Sequence, residues 1–314
     1  MREAIVAAGP KVTVIESPIP IPTGNKVLIK VVVSGSNPKD WKRPEWFKIA
    51  HNSGDDIAGI VEAVGENVLG FRKGDCVAAL HEMMPPGGGE LCGNISFEEV
   101  HKSVLSTSTA ALGLYKRMDL PPPWRPAIIP LIIYGEAGAV GSFAIKLAQA
   151  SNIHPILAVA GHSKEYVESL INRDKGDSII DYRLGRERVV EEINKALSNS
   201  GVEQVAHAYD ASGTGFKWAM VLVLPFRDFS DIRKDITVYQ SAVASIFGQG
   251  TTVEVGDQDF GWIFFRLFEK GSRDGWFTPH PLETIPGGLD GVEKGLANLK
   301  AGKNRAFKYE CRIN

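Results

Sequence analysis

From about residue 126 the chain alternates between two kinds of segment, and this alternation limits the possible folds more than any other feature. PILAVAG (155–161), DSIIDYR (177–183) and QVAHAYDAS (204–212) read as strands. SKEYVESLINR (163–173), ERVVEEINKALSN (187–199) and TGFKWAMVLVL (214–224) carry apolar residues at helical spacing. Consecutive strands separated by helices must run in the same direction, since each crossover returns the chain to its starting end. The result is a parallel sheet with helices packed on its faces.

The first 125 residues follow a different grammar. KVTVIE (11–16) and KVLIKVVVSG (26–35) are strand-like runs between Pro and Gly breakers, and GDDIAGIVEAVGENVLGFRKGDCVAAL (54–80) reads as two strands around a glycine-punctuated turn. A Pro/Gly-rich loop, MMPPGGGELCG (83–93), precedes a stretch with helical spacing, 96–118, which LPPPW terminates. Near the end, 257–271 and 289–302 read as helices, the second opened by an Asp290/Glu293 capping box, and 305–314 as a terminal strand. The expected organisation is a mostly β N-terminal part (1–125), a doubly wound α/β domain (126–275) and a C-terminal return (276–314).

With 314 residues, 44% hydrophobic and 23% charged, the chain is long enough for two lobes with cores. A net charge of −2 gives no reason to expect nucleic acid or an anionic membrane as a partner. The N-terminal residues do not read as a secretory leader. Three widely spaced cysteines, Cys76, Cys92 and Cys311, argue against a disulfide framework and for a reducing compartment, so the expected location is cytoplasmic.

The first strand of the α/β part leads into YGEAGAVG (134–141), with glycines at 135, 138 and 141. This G-x-x-G-x-x-G turn between strand and helix has the layout of a dinucleotide site. Gly138 admits the diphosphate close to the backbone, Gly141 allows tight helix packing, and the N–H groups around Ala139 and Val140 present the positive end of the helix dipole. Glu136, inside the turn, is expected to point away or toward a ribose hydroxyl. A tight turn with no ligand is the alternative.

The second strand ends in Gly161, His162, Ser163 and Lys164, with no Asp or Glu to grip a ribose 2′-hydroxyl. A hydroxyl and an ammonium suit a 2′-phosphate, which favours NADPH over NADH. Tyr182 is placed to stack on adenine or to donate to that phosphate. Taken singly, Ser163 also reads as a helix cap, Lys164 as a solvated charge and Tyr182 as a half-buried strand aromatic.

With these pieces in view, the chain resembles the medium-chain dehydrogenase/reductase superfamily. Within it the chain is similar to the zinc-independent, quinone-reductase-like branch, and more narrowly to the trans-acting enoyl reductases of fungal polyketide pathways. The matching segments are SNPKDWK (36–42), 54–77, TAALGLYKRMDLPPPW (109–124), YGEAGAVG, AGHSKEYVESL (160–170), IIDYR (179–183) and 280–313. The resemblance implies a Rossmann cofactor domain inserted into a GroES-like catalytic domain. It also implies an NADPH-dependent reduction of an enoyl thioester in secondary metabolism, with a polyketide synthase as partner. A stand-alone quinone or alkenal reductase, and an NADPH-binding protein with weakened catalysis, are the alternatives.

At the positions where zinc members carry Cys and a His-Glu pair, this chain has Asn37 and Asp55-Asp56, so no metal is expected. After GDCVAALHEMMPPGGGE the chain passes directly to LCGNISFEEV, where the family continues with further strands, which implies a shortened catalytic lobe. The resemblance assigns Lys39, Asp40, Trp41 and Lys42 to the nicotinamide ribose, and Glu310 and Cys311 to the cofactor's passage along the last strand. It assigns Lys42 and Thr109 to catalysis, and Thr109, Ile246, Phe247 and Gly248 to the substrate pocket. Lys42 also reads as a solvated lysine, Thr109 as a capping or packing residue, and Phe247 as a buried strand aromatic.

Overall fold

The computed structural model describes residues 1–81, 104–135, 138–211, 234 and 236–313, and the backbone of 89–93. The chain divides into two compact units, one formed by Met1–Leu105 with Phe265–Asn314, the other by Ser106–Phe264.

The first unit opens with β1 (Arg2–Ala7) and β2 (Lys11–Glu16), followed by β3 (Val27–Gly35), α1 (Pro38–Phe47), β4 (Asp56–Val64), β5 (Cys76–His81) and β6 (Gly89–Gly93). The second unit takes in most of α2 (Val104–Ala111), then a π-helical turn at Leu112–Arg117, β7 (Leu131–Tyr134), α3 (Ala139–Ala150), β8 (Ile156–Ala160), α4 (Lys164–Glu168), β9 (Ser178–Asp181), α5 (Arg186–Asn199) and β10 (His207–Asp210). Helix α6 (Asp257–Arg273) passes from the second unit into the first, which closes with β11 (Leu282–Ile285), α7 (Val292–Lys300) and β12 (Lys308–Arg312).

In the first unit six strands form one sheet in the order β11-β12-β3-β4-β5-β6, with β1 and β2 as a separate hairpin. The pairing of β3, β4, β5 and β6 is antiparallel. The β3–β4 ladder shifts register between Val31 and Val33. Gly59 sits there because a Cβ would lie 2.2 Å from the Lys30 carbonyl oxygen, closer than atoms can approach. The final strand β12 pairs antiparallel with β3, setting Glu310 opposite Gly35 and Cys311 opposite Ser34, so residues nearly the whole chain apart share one sheet.

In the second unit four parallel strands lie in the order β10-β7-β8-β9. The order reverses at β7, whose neighbours are β8 on one side and β10 on the other, and ligands of doubly wound sheets bind at such a switch point. Helix α5 lays Val189, Ile193 and Leu197, spaced four apart, onto Ile132, Leu157, Val159 and Ile180 of the sheet. Each of those side chains contributes about 1.5–3 kcal/mol on burial.

Three particulars go beyond these expectations. The compact second unit starts at Ser106, and the π turn and most of α2 belong to it. Tyr115 Oη donates to the Leu147 carbonyl at 2.8 Å, and Tyr209 Oη to the Thr109 carbonyl at 3.4 Å. It ends at Phe264, part-way along α6. The capping box at Asp290/Glu293 does not form. Residues 288–291 make a 3₁₀ turn, α7 begins on Gly291 without a side-chain cap, and Glu293 instead accepts from the Val12 N–H at 2.8 Å. Helix α1 was not anticipated, since it carries Pro38 at its start and Pro44 within it. Yet Pro suits a first helical position, and Asn37 and Asp40 close a reciprocal capping box around it. The expected helix at 214–224, residues 96–103 of the expected helix at 96–118, the Glu136 side chain and most of the segment expected to be shortened lie outside the described residues.

Candidate active site

In the first unit, the start of α1, the residues entering β4 and the start of β12 bring five charged side chains together in a buried cluster: Lys39, Asp40, Asp55, Asp56 and Lys308. Lys39 Nζ lies 2.6 Å from Asp55 Oδ2 and 2.8 Å from Asp40 Oδ1, and donates to the Ser53 carbonyl at 2.6 Å. Asp40 Oδ2 also accepts from the Asn37 N–H at 2.7 Å. Asp56 is held by Asn37 Nδ2 at 3.0 Å, by the Leu105 N–H at 2.7 Å and by the ammonium of Lys308 from β12.

For Lys39, Asp40 and Asp55 burial works against the charge, and the partners decide the balance. For Lys39 burial alone would lower the pKa, but Asp40 and Asp55 outweigh it and hold the ammonium above its ordinary value. For Asp40 burial prevails over Lys39 and the carboxyl is raised. For Asp55 burial, opposed by Lys39 and reinforced by Asp40 and Asp56, pushes the carboxyl up to about 7.

Asn37, Asp55 and Asp56 stand where zinc members of the resembling superfamily carry ligands, and they do not fit a divalent cation. Lys39 already pairs with Asp55 and Lys308 with Asp56, so a dication would sit against two fixed positive charges. Among the described residues no group of three or more His, Cys, Asp or Glu side chains is arranged to hold a metal.

This cluster consumes the side chains of Lys39 and Asp40, two of the residues expected at the cofactor. Lys42 points elsewhere on α1. Its ammonium lies 5.6 Å from the Trp41 ring centroid and 5.8 Å from that of Trp46 one turn on, and half-burial lowers its pKa. Among the described residues it has no carboxylate partner. Glu310 accepts from Thr284 Oγ1 at 2.7 Å. Cys311 is buried, its thiol pushed up to about 11, chiefly by that burial, and it lines a cavity of about 210 Å³ with Ala4, Ser34, Leu296 and Tyr309. Both side chains are thus engaged within the first unit.

In the second unit the glycine turn follows β7 at the switch point. Gly135 has φ +80°, a conformation that favours glycine, and a Cβ on Gly138 would stand 3.3 Å from the Gly135 carbonyl oxygen. Gly138 caps α3 without a side chain, so the N–H groups of Ala139, Val140 and Gly141 have no side-chain cap. These features fit a dinucleotide diphosphate. At the end of β8, Gly161 lies under the ring of Tyr182, whose Cε1 is 2.3 Å from where a Cβ would be. Tyr182 is 43% exposed and its ring centroid is 6.2 Å from that of Tyr134. His162 and Lys164 are exposed beside it, and Ser163 starts α4 without a side-chain capping bond.

Thr109 lies on α2 and is 1% exposed. The hydroxyl of its neighbour Ser108, also buried, finds no partner among the described residues, and sequence reasoning passed over it within the S-T-S-T run. Ile246 and Phe247 form a 3₁₀ turn, not a strand, and Gly248 ends it with φ +72°. Ile246 is buried, Phe247 is half-buried and Gly248 is exposed. The other residue that sequence reasoning missed is Arg117, buried at the end of the π turn, whose partners are far away in sequence.

A GroES-like sheet in one unit and a Rossmann sheet in the other define the medium-chain dehydrogenase/reductase class. The family described as "Alcohol dehydrogenase GroES-like domain" matches residues 23–118. The chain is 39% identical to trans-enoyl reductase fsr4 of Gibberella fujikuroi over 318 residues, covering 91% of each. It is 24% identical to lovC of Aspergillus terreus, the enoyl reductase component of lovastatin nonaketide synthase, covering 95% of this chain and 92% of that one. A solved alcohol dehydrogenase superfamily protein from Novosphingobium aromaticivorans shares the fold, with a TM-score of 0.74 at 22% identity and all of both chains covered. The chain therefore belongs to the trans-enoyl reductase family, oxidoreductases that act on carbon–carbon double bonds.

Proposed function

We propose that this protein is an NADPH-dependent, trans-acting enoyl reductase that reduces the α,β-double bond of an enoyl thioester carried by a polyketide synthase in the cytoplasm. The observation that carries the reading is the identity to fsr4 along nearly the whole chain. The partner assignment draws on lovC, which is named as a component of a synthase. Among the described residues no helix is long and apolar enough to cross a membrane.

Gly135, Gly138, Ala139, Val140 and Gly141 would hold the diphosphate, and Ser163, Lys164 and Tyr182 the ribose phosphate and adenine end. When bound, the reduced nicotinamide supplies a hydride for the β-carbon of the substrate. The residues of the chain then have two tasks, to stabilise the negative charge that develops on the thioester oxygen and to deliver a proton to the α-carbon. Lys42 suits either task. Two indole faces hold its ammonium, and burial lowers its pKa and so eases proton donation. Thr109 and the Ile246–Gly248 turn would line the acyl chain. The pairing of Asp55 with Lys39 and of Asp56 with Lys308 supports a reaction without a metal.

The test is oxidation of NADPH and NADH with a series of enoyl-pantetheine thioesters, free enones and quinones, with and without the synthase. Turnover of thioesters with NADPH, enhanced by the synthase, supports the reading. Faster turnover of small enones or quinones, or equal use of NADH, overturns the corresponding part of it.

A further inference from the structure

We infer that Arg117 is a positioning residue that sets the shape of the acyl pocket, by locking the Ile246–Gly248 turn to the helix that carries Thr109. The inference rests on the pocket assignment proposed above. The guanidinium is buried, and so is the carboxylate facing it, each side chain 1% exposed. Its fork makes a bidentate pair with Asp257, 2.8 Å to Oδ1 and 2.6 Å to Oδ2. Nη1 also reaches Glu254 Oε2 at 3.2 Å, and Nη2 reaches the Thr252 carbonyl at 2.9 Å and Ser245 Oγ at 3.2 Å. One side chain thus gathers a loop running from Ser245 to Asp257, and Ser245 immediately precedes Ile246.

The turn is braced from its other side by α6. A Cβ on Gly261 would lie 2.9 Å from Ile246 Cβ, and one on Gly248 would lie 3.2 Å from the Gln258 side-chain nitrogen. Helix α6 is itself fixed at its first residue, Asp257, by Arg117. At the other end of the linkage, Arg117 terminates the π turn that continues α2 from Thr109. The wider π winding sets where Arg117 points relative to Thr109, and such turns recur at functional sites. Lysine cannot reproduce the link, because a single ammonium cannot bridge a bidentate carboxylate, a carbonyl and a hydroxyl in one plane.

The test compares wild type, Arg117→Lys and Ser245→Ala in the full-length protein. kcat and KM are measured for enoyl-pantetheines of short and long acyl chain, alongside the Kd for NADPH. The expected result is that the ratio of kcat/KM between long and short chains changes by about tenfold in Arg117→Lys, mainly through KM for the thioester. NADPH affinity stays within about twofold of wild type. Ser245→Ala, which leaves the Asp257 pair intact, moves the ratio in the same direction by a smaller factor. It carries the test alone if Arg117→Lys does not fold. An unchanged chain-length ratio with equal losses on all substrates means that Arg117 only supports the fold, and overturns the inference. Absence of thioester turnover in the wild type overturns the enoyl reductase reading, and the inference with it.

Discussion

Replacing Asp55 with Asn should change how stability depends on pH, and the structure gives both sign and size. Asp55 is buried against Lys39, and its carboxyl is raised from 3.8 to about 7, principally by burial. The folded protein therefore binds this proton more tightly than the unfolded chain. Stability from this site is complete below about pH 4 and is lost as pH rises through about 7. Each tenfold in proton affinity is worth about 1.4 kcal/mol, so the full effect is about 4 kcal/mol. Between pH 5 and pH 8 the wild type should lose about 3 kcal/mol of it. Asn has the shape of the protonated acid and does not titrate. Lys39 keeps Asp40 and the Ser53 carbonyl in the variant. The stability difference between Asp55→Asn and wild type should therefore shift by about 3 kcal/mol in favour of the variant from pH 5 to pH 8. Urea unfolding of both proteins at several pH values measures it, read from midpoints at constant slope. A difference that stays flat with pH, or shifts toward the wild type, refutes the argument that burial dominates this carboxyl.

Further outcomes follow from single contacts. Gly161→Ala would push a methyl group into the Tyr182 ring, and NADPH affinity should fall by about tenfold with little change in melting temperature if that ring contacts the cofactor. Unchanged affinity in a titration would remove Tyr182 from the site. Gly59→Ala would place a Cβ 2.2 Å from the Lys30 carbonyl and should cost about 3 kcal/mol or more by forcing the β3–β4 bulge apart, as read by thermal melting. Cys311, buried and pushed up to about 11, should resist thiol reagents at pH 8 until the protein is unfolded. Rapid native-state labelling that Cys311→Ser abolishes would contradict its placement. Lys42→Ala should lower kcat on thioesters by about a hundredfold, the range for losing a general acid, while NADPH affinity changes less, as steady-state kinetics and titration would separate.

The local pattern carried most of the fold. Periodicity located α5 through Val189, Ile193 and Leu197. It located β8 as an uninterrupted apolar run, and the glycine spacing marked the turn before α3. Helix α1 was hidden because its two prolines read as breakers, and the Asn37/Asp40 box that offsets them shows only in the folded backbone. The Asp290/Glu293 spacing was a false signal for a similar reason. Val12, brought close by the tertiary fold, took the Glu293 carboxylate that a local cap would have used.

The sequence by itself determined the class of architecture and the location of the glycine turn between β7 and α3, because helix and strand periods and glycine steric freedom act over a few residues. Tertiary structure alone decided which charges neutralise one another. Lys308 meets Asp56 across 252 positions and Arg117 meets Asp257 across 140. Such pairings record no local pattern, since the energy that selects them arises only when burial strips the water from both partners at once.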